Sequence, residues 1–181
     1  MNVFIGGSRA VSKLNAVIRE RFDDFIKRGC TILVGDANGA DKAVQTYFAS
    51  KRYTNVTVFC MEECRNNVGG WPTRNVKPPN GSKGFSYYAA KDFVMAEEAQ
   101  CGVMLWDAKS KGTLQNMLNL IAVDKRTLVY FAPTKSFHVL ANREELQALL
   151  AQCEKRDIDS AARALGLKIP LDQVALPLAL H

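Results

Sequence analysis

Short apolar segments alternate with amphipathic segments through the first part of the chain. Segments 2–6, 30–34 and 55–59 are rich in β-branched residues, and the first two are followed by glycine, which is typical of buried strands. The stretches between them place apolar residues such as Ile18 and Phe22 on one helical face. This β-α-β-α-β order predicts a parallel sheet with right-handed crossovers.

The pattern continues after a long interruption. Segments 101–106 and 127–131 are predicted as a fourth and a fifth strand. We therefore predict an α/β fold, a Rossmann-like three-layer domain over residues 1–133 with a mostly parallel five-stranded sheet. Residues 134–181 are predicted to form a helical extension that packs on the core or on a second subunit, and we expect a homodimer.

Several residues have the character of helix caps. Ser12 is predicted to begin the first helix and Asn38 the second, because their side chains can accept hydrogen bonds from free N–H groups. Gly29 is predicted to end the first helix. Asn142 with Glu145 resembles a capping box and predicts a helix near the C-terminus.

Composition excludes several classes of protein. Hydrophobic residues make up 48% and charged residues 23% of 181 residues, which suits one globular domain. No segment has the length of a membrane span or the character of a signal peptide, so we expect a cytoplasmic protein. The five cysteines favour reduced thiols over a disulfide framework. Cys60 and Cys64 lack a second pair, so no metal site is expected. We also expect no cofactor.

The charge is positive, at +6. Nucleic acid or an anionic small molecule would each be compatible with it. Lys and Arg are spread along the chain without a run, which favours a mildly basic solvated surface. The glycine- and proline-rich stretch 60–84 is predicted to be a long loop. Its basic residues and Trp71 would cover an anionic ligand, or the stretch is a surface excursion.

Three strand-to-helix junctions contain residues suited to ligand binding. Ligands of parallel α/β sheets bind at the carboxyl ends of the strands, where helix N-termini present free N–H groups. At the first junction Gly6 and Gly7 would allow close backbone approach. Ser8 offers a hydroxyl, and Arg9 can bind a phosphate through two hydrogen bonds.

The second junction comprises Gly35, Asp36, Gly39 and Asp41. Its carboxylates would repel phosphate and suit ribose hydroxyls or a base edge, although Asp41 also stabilises a helix N-terminus. A further candidate is Lys91 in the helix after the loop, with a solvent-facing position as the alternative.

The third junction is the strongest single segment. Its small and hydroxyl residues at a helix start form an anion-binding turn, and its lysines raise the local potential. Its predicted ligand-binding residues are Asp107, Ser110, Lys111, Gly112, Thr113 and Asn116.

The segments IGGSR, VGDANGADKAVQ and WDAKSKGTLQN resemble the SLOG superfamily. That superfamily of Rossmann-like domains includes the LOG phosphoribohydrolases and the DNA-processing protein A domain, and the resemblance is greatest to its YspA/YpsA branch. The LOG motif reads Pro-Gly-Gly-x-Gly-Thr-x-x-Glu, in which glycine and threonine hold phosphate. Gly112 and Thr113 match it, whereas Asn116 stands at the catalytic glutamate. An amide cannot act as a general base.

The resemblance implies two functions. We interpret the chain first as a sensing or binding module for a phosphorylated nucleotide or a related ligand of the NAD or ADP-ribose type. The alternative is a LOG-like hydrolase or transferase acting on a nucleotide N-glycosidic or phosphoribosyl bond, with Asp36 or Asp107 as the catalytic carboxylate. Nucleic acid is an unlikely partner on this interpretation, because no nucleic-acid-binding motif is found.

Overall fold

A computed structural model describes residues 1–78, 81 and 83–168. Within them the helices are α1 Ala16–Lys27, α2 Ala40–Ser50, α3 Gly84–Glu98, α4 Lys111–Ala122, α5 Arg143–Leu150 and α6 Lys155–Leu165. The strands are β1 Asn2–Gly7, β2 Thr31–Gly35, β3 Val56–Cys60, β4 Thr73–Asn75, β5 Cys101–Trp106, β6 Thr127–Phe131 and β7 Ser136–Leu140.

One sheet contains all of these strands in the order β4-β3-β2-β1-β5-β6-β7. Every neighbouring pair is parallel except β6 and β7. The chain proceeds outward from β1 in both directions, so β1 and β5 flank the switch point at which ligands of such sheets bind. This architecture confirms the predicted Rossmann-like α/β class.

The predicted number of five strands is wrong, because β4 and β7 join the sheet. The sequence of β4 is Thr-Arg-Asn, and all three residues are exposed, so it lacks an apolar signal. β7 returns antiparallel to β6 after Pro133. Of its residues only Leu140 is buried. Residues 134–181 therefore begin with a strand rather than a helix.

The strands place alternate side chains on opposite faces of the sheet. Val3 and Ile5 pack in one apolar cluster with residues of α1 and α2. Phe4 packs in a second cluster on the other face, with residues of α3 and α4. The three layers follow directly from this alternation. Leu146 of α5 and Ile158 of α6 belong to the second cluster.

The cap predictions have mixed outcomes. The Asn15 side chain, not Ser12, caps α1 by accepting a hydrogen bond from the Ile18 N–H at 3.0 Å. Gly39, not Asn38, occupies the N-cap of α2. Gly29 follows the end of α1 at φ +63°, as predicted. Asn142 caps α5, which confirms that prediction.

The stretch 60–84 is less open than the sequence indicates. Cys60 and Cys64 are joined by a disulfide, so the expectation that they are reduced thiols is wrong. Trp71 is buried, and its indole N–H donates to the Tyr53 carbonyl at 2.8 Å. The indole is thus part of the apolar core and is not available to cover a ligand.

In the described part of the chain, no helix is both long and apolar enough to cross a membrane. The apolar tail that suggested a subunit interface lies mostly outside the described residues. Its packing and the homodimer stay predictions.

The Asn15 cap yields a test of the first helix. Asn15 also donates to the Tyr130 hydroxyl at 2.6 Å, so its removal affects two partners. We expect Asn15→Ala to lower the free energy of unfolding by about 1–2 kcal/mol, measured by urea denaturation. Ser12→Ala, at an exposed position, is the control and should change it by less than about 0.5 kcal/mol. Equal effects of the two variants would contradict this assignment of the cap.

Candidate functional site

The three predicted junctions meet at the carboxyl edge of the sheet. The Ser8 N–H donates to the Leu105 carbonyl at 2.8 Å, and the Ala40 N–H donates to the Ser8 carbonyl at 3.2 Å. The Ser8 hydroxyl donates to an Asp107 carboxylate oxygen at 2.8 Å. Ser8 therefore joins the ends of β1 and β5 to the start of α2, across the switch point of the sheet.

Glycine makes this close approach achievable at two positions. A Cβ on Gly39 would lie 2.3 Å from the Arg9 Cα, and φ at Gly39 is +85°. A Cβ on Gly7 would lie 2.5 Å from the Leu105 carbonyl oxygen. Any side chain at either position would push the junctions apart.

The third junction is held by its own side chains. Asp107 accepts hydrogen bonds from the N–H groups of Lys109 and Ser110 at 3.1 and 2.8 Å. The Ser110 hydroxyl caps α4 by accepting from the Thr113 N–H at 3.3 Å, and it also accepts from the Thr113 hydroxyl at 3.0 Å. These contacts fix the turn and leave the Lys111 side chain exposed.

Other predicted residues line the same edge. Asn116 is buried, and its amide nitrogen lies 3.6 Å from a Cβ position built on Gly6. Gly112 is partly buried at the start of α4. Arg9 is exposed and has no ion pair with any residue that the structure describes. The first and third junctions thus present Arg9 and Lys111 to solvent above a buried polar floor.

An ion pair between a buried carboxylate and a partly exposed guanidinium holds the second junction. The Asp36 side chain is 2% exposed and binds the Arg65 guanidinium at 2.6 and 3.1 Å. It also accepts from the Arg65 backbone N–H at 3.1 Å. Burial raises the pKa of Asp36, but the hydrogen bonds from Arg65 outweigh it, so the pKa lies below its usual value. The Asp36 carboxylate therefore stays ionised, and the Arg65 guanidinium balances its charge.

Lys91 is the second cation at this junction. It is 3% exposed, and its Nζ lies 2.8 Å from Asp92 and 3.9 Å from Asp36. Burial disfavours its charge, but Asp92, Asp41 and Asp36 outweigh burial and raise its pKa. The predicted solvent-facing alternative for Lys91 is thus wrong, because the ammonium is enclosed by carboxylates.

Among these buried groups, Asp41 is the one whose ionised form is least favoured. Its burial raises the pKa to about 6, against the favourable field of Lys91. A Cβ on Gly35 would lie 2.4 Å from the Asp41 carboxylate and 2.8 Å from the Lys91 ammonium. Glycine at the end of β2 therefore makes room for the buried charges.

Two exposed aromatic rings stand beside these junctions, and the sequence analysis did not identify them. Phe85 and Tyr88, in the first turns of α3, are 38% and 42% exposed. The Lys111 Nζ lies 4.9 Å from the Phe85 ring centroid, and the Arg65 Cζ lies 4.7 Å from that of Tyr88. We call these four residues the aromatic rim. The run Phe-Ser-Tyr-Tyr just after the basic loop was the available signal.

No family model matches the chain, and no curated protein sequence matches it. The chain is similar to a solved structure of DNA processing protein A from Helicobacter pylori, which is described as giving insight into the single-stranded DNA binding mode of that protein. The two superpose with a TM-score of 0.56 and share 13% sequence identity. The match covers 92% of this chain and 80% of that chain. At this identity the likeness supports the Rossmann-like fold.

This comparison corrects the functional interpretation drawn from the sequence. The solved neighbour binds single-stranded DNA. This finding contradicts the expected ligand, a nucleotide or a compound of the NAD or ADP-ribose type. It also contradicts the expectation that nucleic acid is an unlikely partner. The physical reason for the difference is that positive charge spread along a sequence is not necessarily spread evenly over the folded surface. Folding brings Arg65 and Lys111, which are far apart in the sequence, against the neighbouring rings of Tyr88 and Phe85.

The buried charges yield a test at two pH values. We expect Lys91→Met to lower the free energy of unfolding by about 3–5 kcal/mol at neutral pH, because it leaves buried carboxylates without their cation. The pKa of Asp41 is about 6 in the folded protein and about 4 when unfolded. Lys91 lowers this pKa, so in Lys91→Met the Asp41 carboxyl takes up its proton at a higher pH than in the wild type. As pH falls, protonation therefore stabilises the folded variant more than the folded wild type, and the loss should be smaller at about pH 5.

Urea denaturation of both proteins at the two pH values measures this difference. The exposed Lys111→Met is the control, with an expected change within about 0.5 kcal/mol at either pH. A loss for Lys91→Met that is the same at both pH values would argue against coupling to Asp41.

Proposed function

We propose that this chain binds single-stranded DNA at the carboxyl edge of its sheet, with the aromatic rim as the stacking platform. The observation that carries the proposal is the pairing of two exposed rings, Phe85 and Tyr88, each with a cation over its face. Proteins that bind single strands combine aromatic stacking of bases with positive charge along the backbone.

The two cations of the rim contribute differently. Arg65 is fixed by two side-chain hydrogen bonds to Asp36, so its plane and the Tyr88 ring form a preorganised surface for a base. Lys111 is exposed and lies over Phe85. Its long side chain can turn toward a phosphate and leave the ring free for a second base.

Phosphates are proposed to bind beside the rim. Arg9 offers a guanidinium that is not engaged in an ion pair with any described residue, and the start of α4 at Gly112 adds positive partial charge. The remaining predicted site residues are proposed to hold these groups in place beneath the bound DNA strand. They are Gly6, Gly7, Ser8, Gly35, Asp36, Gly39, Asp41, Lys91, Asp107, Ser110, Thr113 and Asn116.

We also propose that the chain belongs to the SLOG superfamily, within or near its YspA/YpsA branch. The three motifs that carry this resemblance end β1, β2 and β5 and begin the segments that meet at Ser8. We further propose a cytoplasmic location, which would suit a chain that binds DNA.

Fluorescence anisotropy with a labelled oligothymidylate of about 20 nucleotides tests the function. We expect the wild type to bind the single strand more tightly than a duplex of equal length, because only unpaired bases stack on side chains. Phe85→Ala with Tyr88→Ala should weaken binding by about 30-fold or more, since each of the two stacked bases contributes about 1–3 kcal/mol. Val139→Ala, exposed on the edge strand β7, is the control.

Two results would overturn the proposal. One is an absence of measurable binding to the single strand by the wild type. The other is equal affinity of the wild type and the double variant at Phe85 and Tyr88, with unchanged unfolding curves for both proteins.

A further inference from the structure

A groove of about 830 Å³ lies between α1 and α2, on the face of the sheet opposite α3. It begins at Gly39, whose backbone abuts Arg9 at the carboxyl edge, and it extends to Lys51 after the last turn of α2. The groove is therefore continuous with the candidate site, although no motif of the sequence pointed to it.

The lining of this groove is strongly basic. Lys13, Arg19 and Lys42 are exposed, and none forms an ion pair within residues 1–78, 81 and 83–168. The acidic residue of the lining is Asp23, which binds the Lys51 ammonium at 2.9 Å.

The Lys51 ammonium thus already balances the charge of Asp23. Asp23 also accepts a hydrogen bond from the Tyr47 hydroxyl at 2.8 Å. The hydrogen bond from Lys51 is the main reason why the pKa of Asp23 lies below its usual value. With this pair set aside, three positive charges face the groove without compensation, which is the electrostatic character that a polyphosphate backbone requires.

The three cations come from both walls of the groove, at the end where the two helices begin. Lys13 precedes α1, Arg19 lies in its first turns, and Lys42 lies in the first turn of α2. The basic end of the groove is therefore the end at Gly39, beside Arg9, where a strand from the candidate site would enter, and positive charge there suits its phosphates.

We propose that the groove between α1 and α2 binds the phosphodiester backbone of single-stranded DNA as the strand continues from the aromatic rim past Arg9. This inference rests on the proposed function and extends it to a second surface. The rim binds bases by stacking, and the groove binds phosphates through Lys13, Arg19 and Lys42.

The salt dependence of binding tests the groove separately from the rim. Each phosphate contact to a single strand contributes about 0.7 to the slope of log K against log salt concentration. Replacement of Lys13, Arg19 and Lys42 by Gln should therefore reduce the magnitude of that slope by about 2 for an oligothymidylate of about 20 nucleotides. Each single replacement should reduce it by about 0.7.

A matched control removes the same charge elsewhere. Arg28, Arg126 and Arg163 are exposed, lie outside the groove lining and form no ion pair in the described part of the chain. Their joint replacement by Gln also lowers the net charge by three, and we expect it to leave the slope nearly unchanged. All six positions are exposed, so circular dichroism should show folded proteins.

The outcomes separate the two proposals. If the wild type binds and the Phe85 and Tyr88 double variant binds more weakly, the proposed function holds. Under that result, a groove variant with the same slope as its control overturns the role of the groove alone. If the wild type does not bind single-stranded DNA, both proposals fall.

Discussion

The close contact of three backbone segments around Ser8 is the constraint on which the site depends. Ser8 bonds through its N–H, carbonyl and hydroxyl to β5, α2 and Asp107. This contact fixes the junctions as one surface because Gly7 and Gly39 leave no side chain between them. Everything proposed for this protein lies on or beside that surface. The sheet supplies its order, since β1 is central and its two neighbours β2 and β5 end at the same edge.

The acidic residues of the edge are paired, and Asp36 is also buried, which makes the edge compatible with the proposed anionic partner. Asp36 is enclosed by Arg65 and Lys91, and Asp107 is occupied by Ser8 and by backbone N–H groups. A buried, paired carboxylate projects little negative potential into solvent, whereas an exposed, unpaired guanidinium such as that of Arg9 projects its full charge. The sequence places both signs at the junctions, and the fold sorts them by depth.

The fold was predictable where the apolar pattern is strong. Alternation and glycine turns predict the five long strands, but β4 lacks apolar residues and pairs only because β3 offers it an edge. The junctions were predictable as the place of the site, since parallel strands end together. The aromatic rim was not predictable. Phe85 and Tyr88 are recognisable as a candidate site only beside Lys111 and Arg65, and tertiary structure alone brings these cations near the rings. The ligand class was wrong for the same reason.

The two proposed surfaces differ in the physics of their contacts. Stacking on Phe85 and Tyr88 removes apolar and π surface from water, so it changes little with ionic strength. Binding by the cations of the α1–α2 groove releases counterions and therefore weakens steeply as salt rises. Arg9 lies beside Gly39, which lines one end of the groove. Under the two proposals, a DNA strand that passes Arg9 would be held by its bases at the aromatic rim and by its phosphates in the groove. This arrangement would favour a single strand over a duplex, whose bases are already stacked and paired.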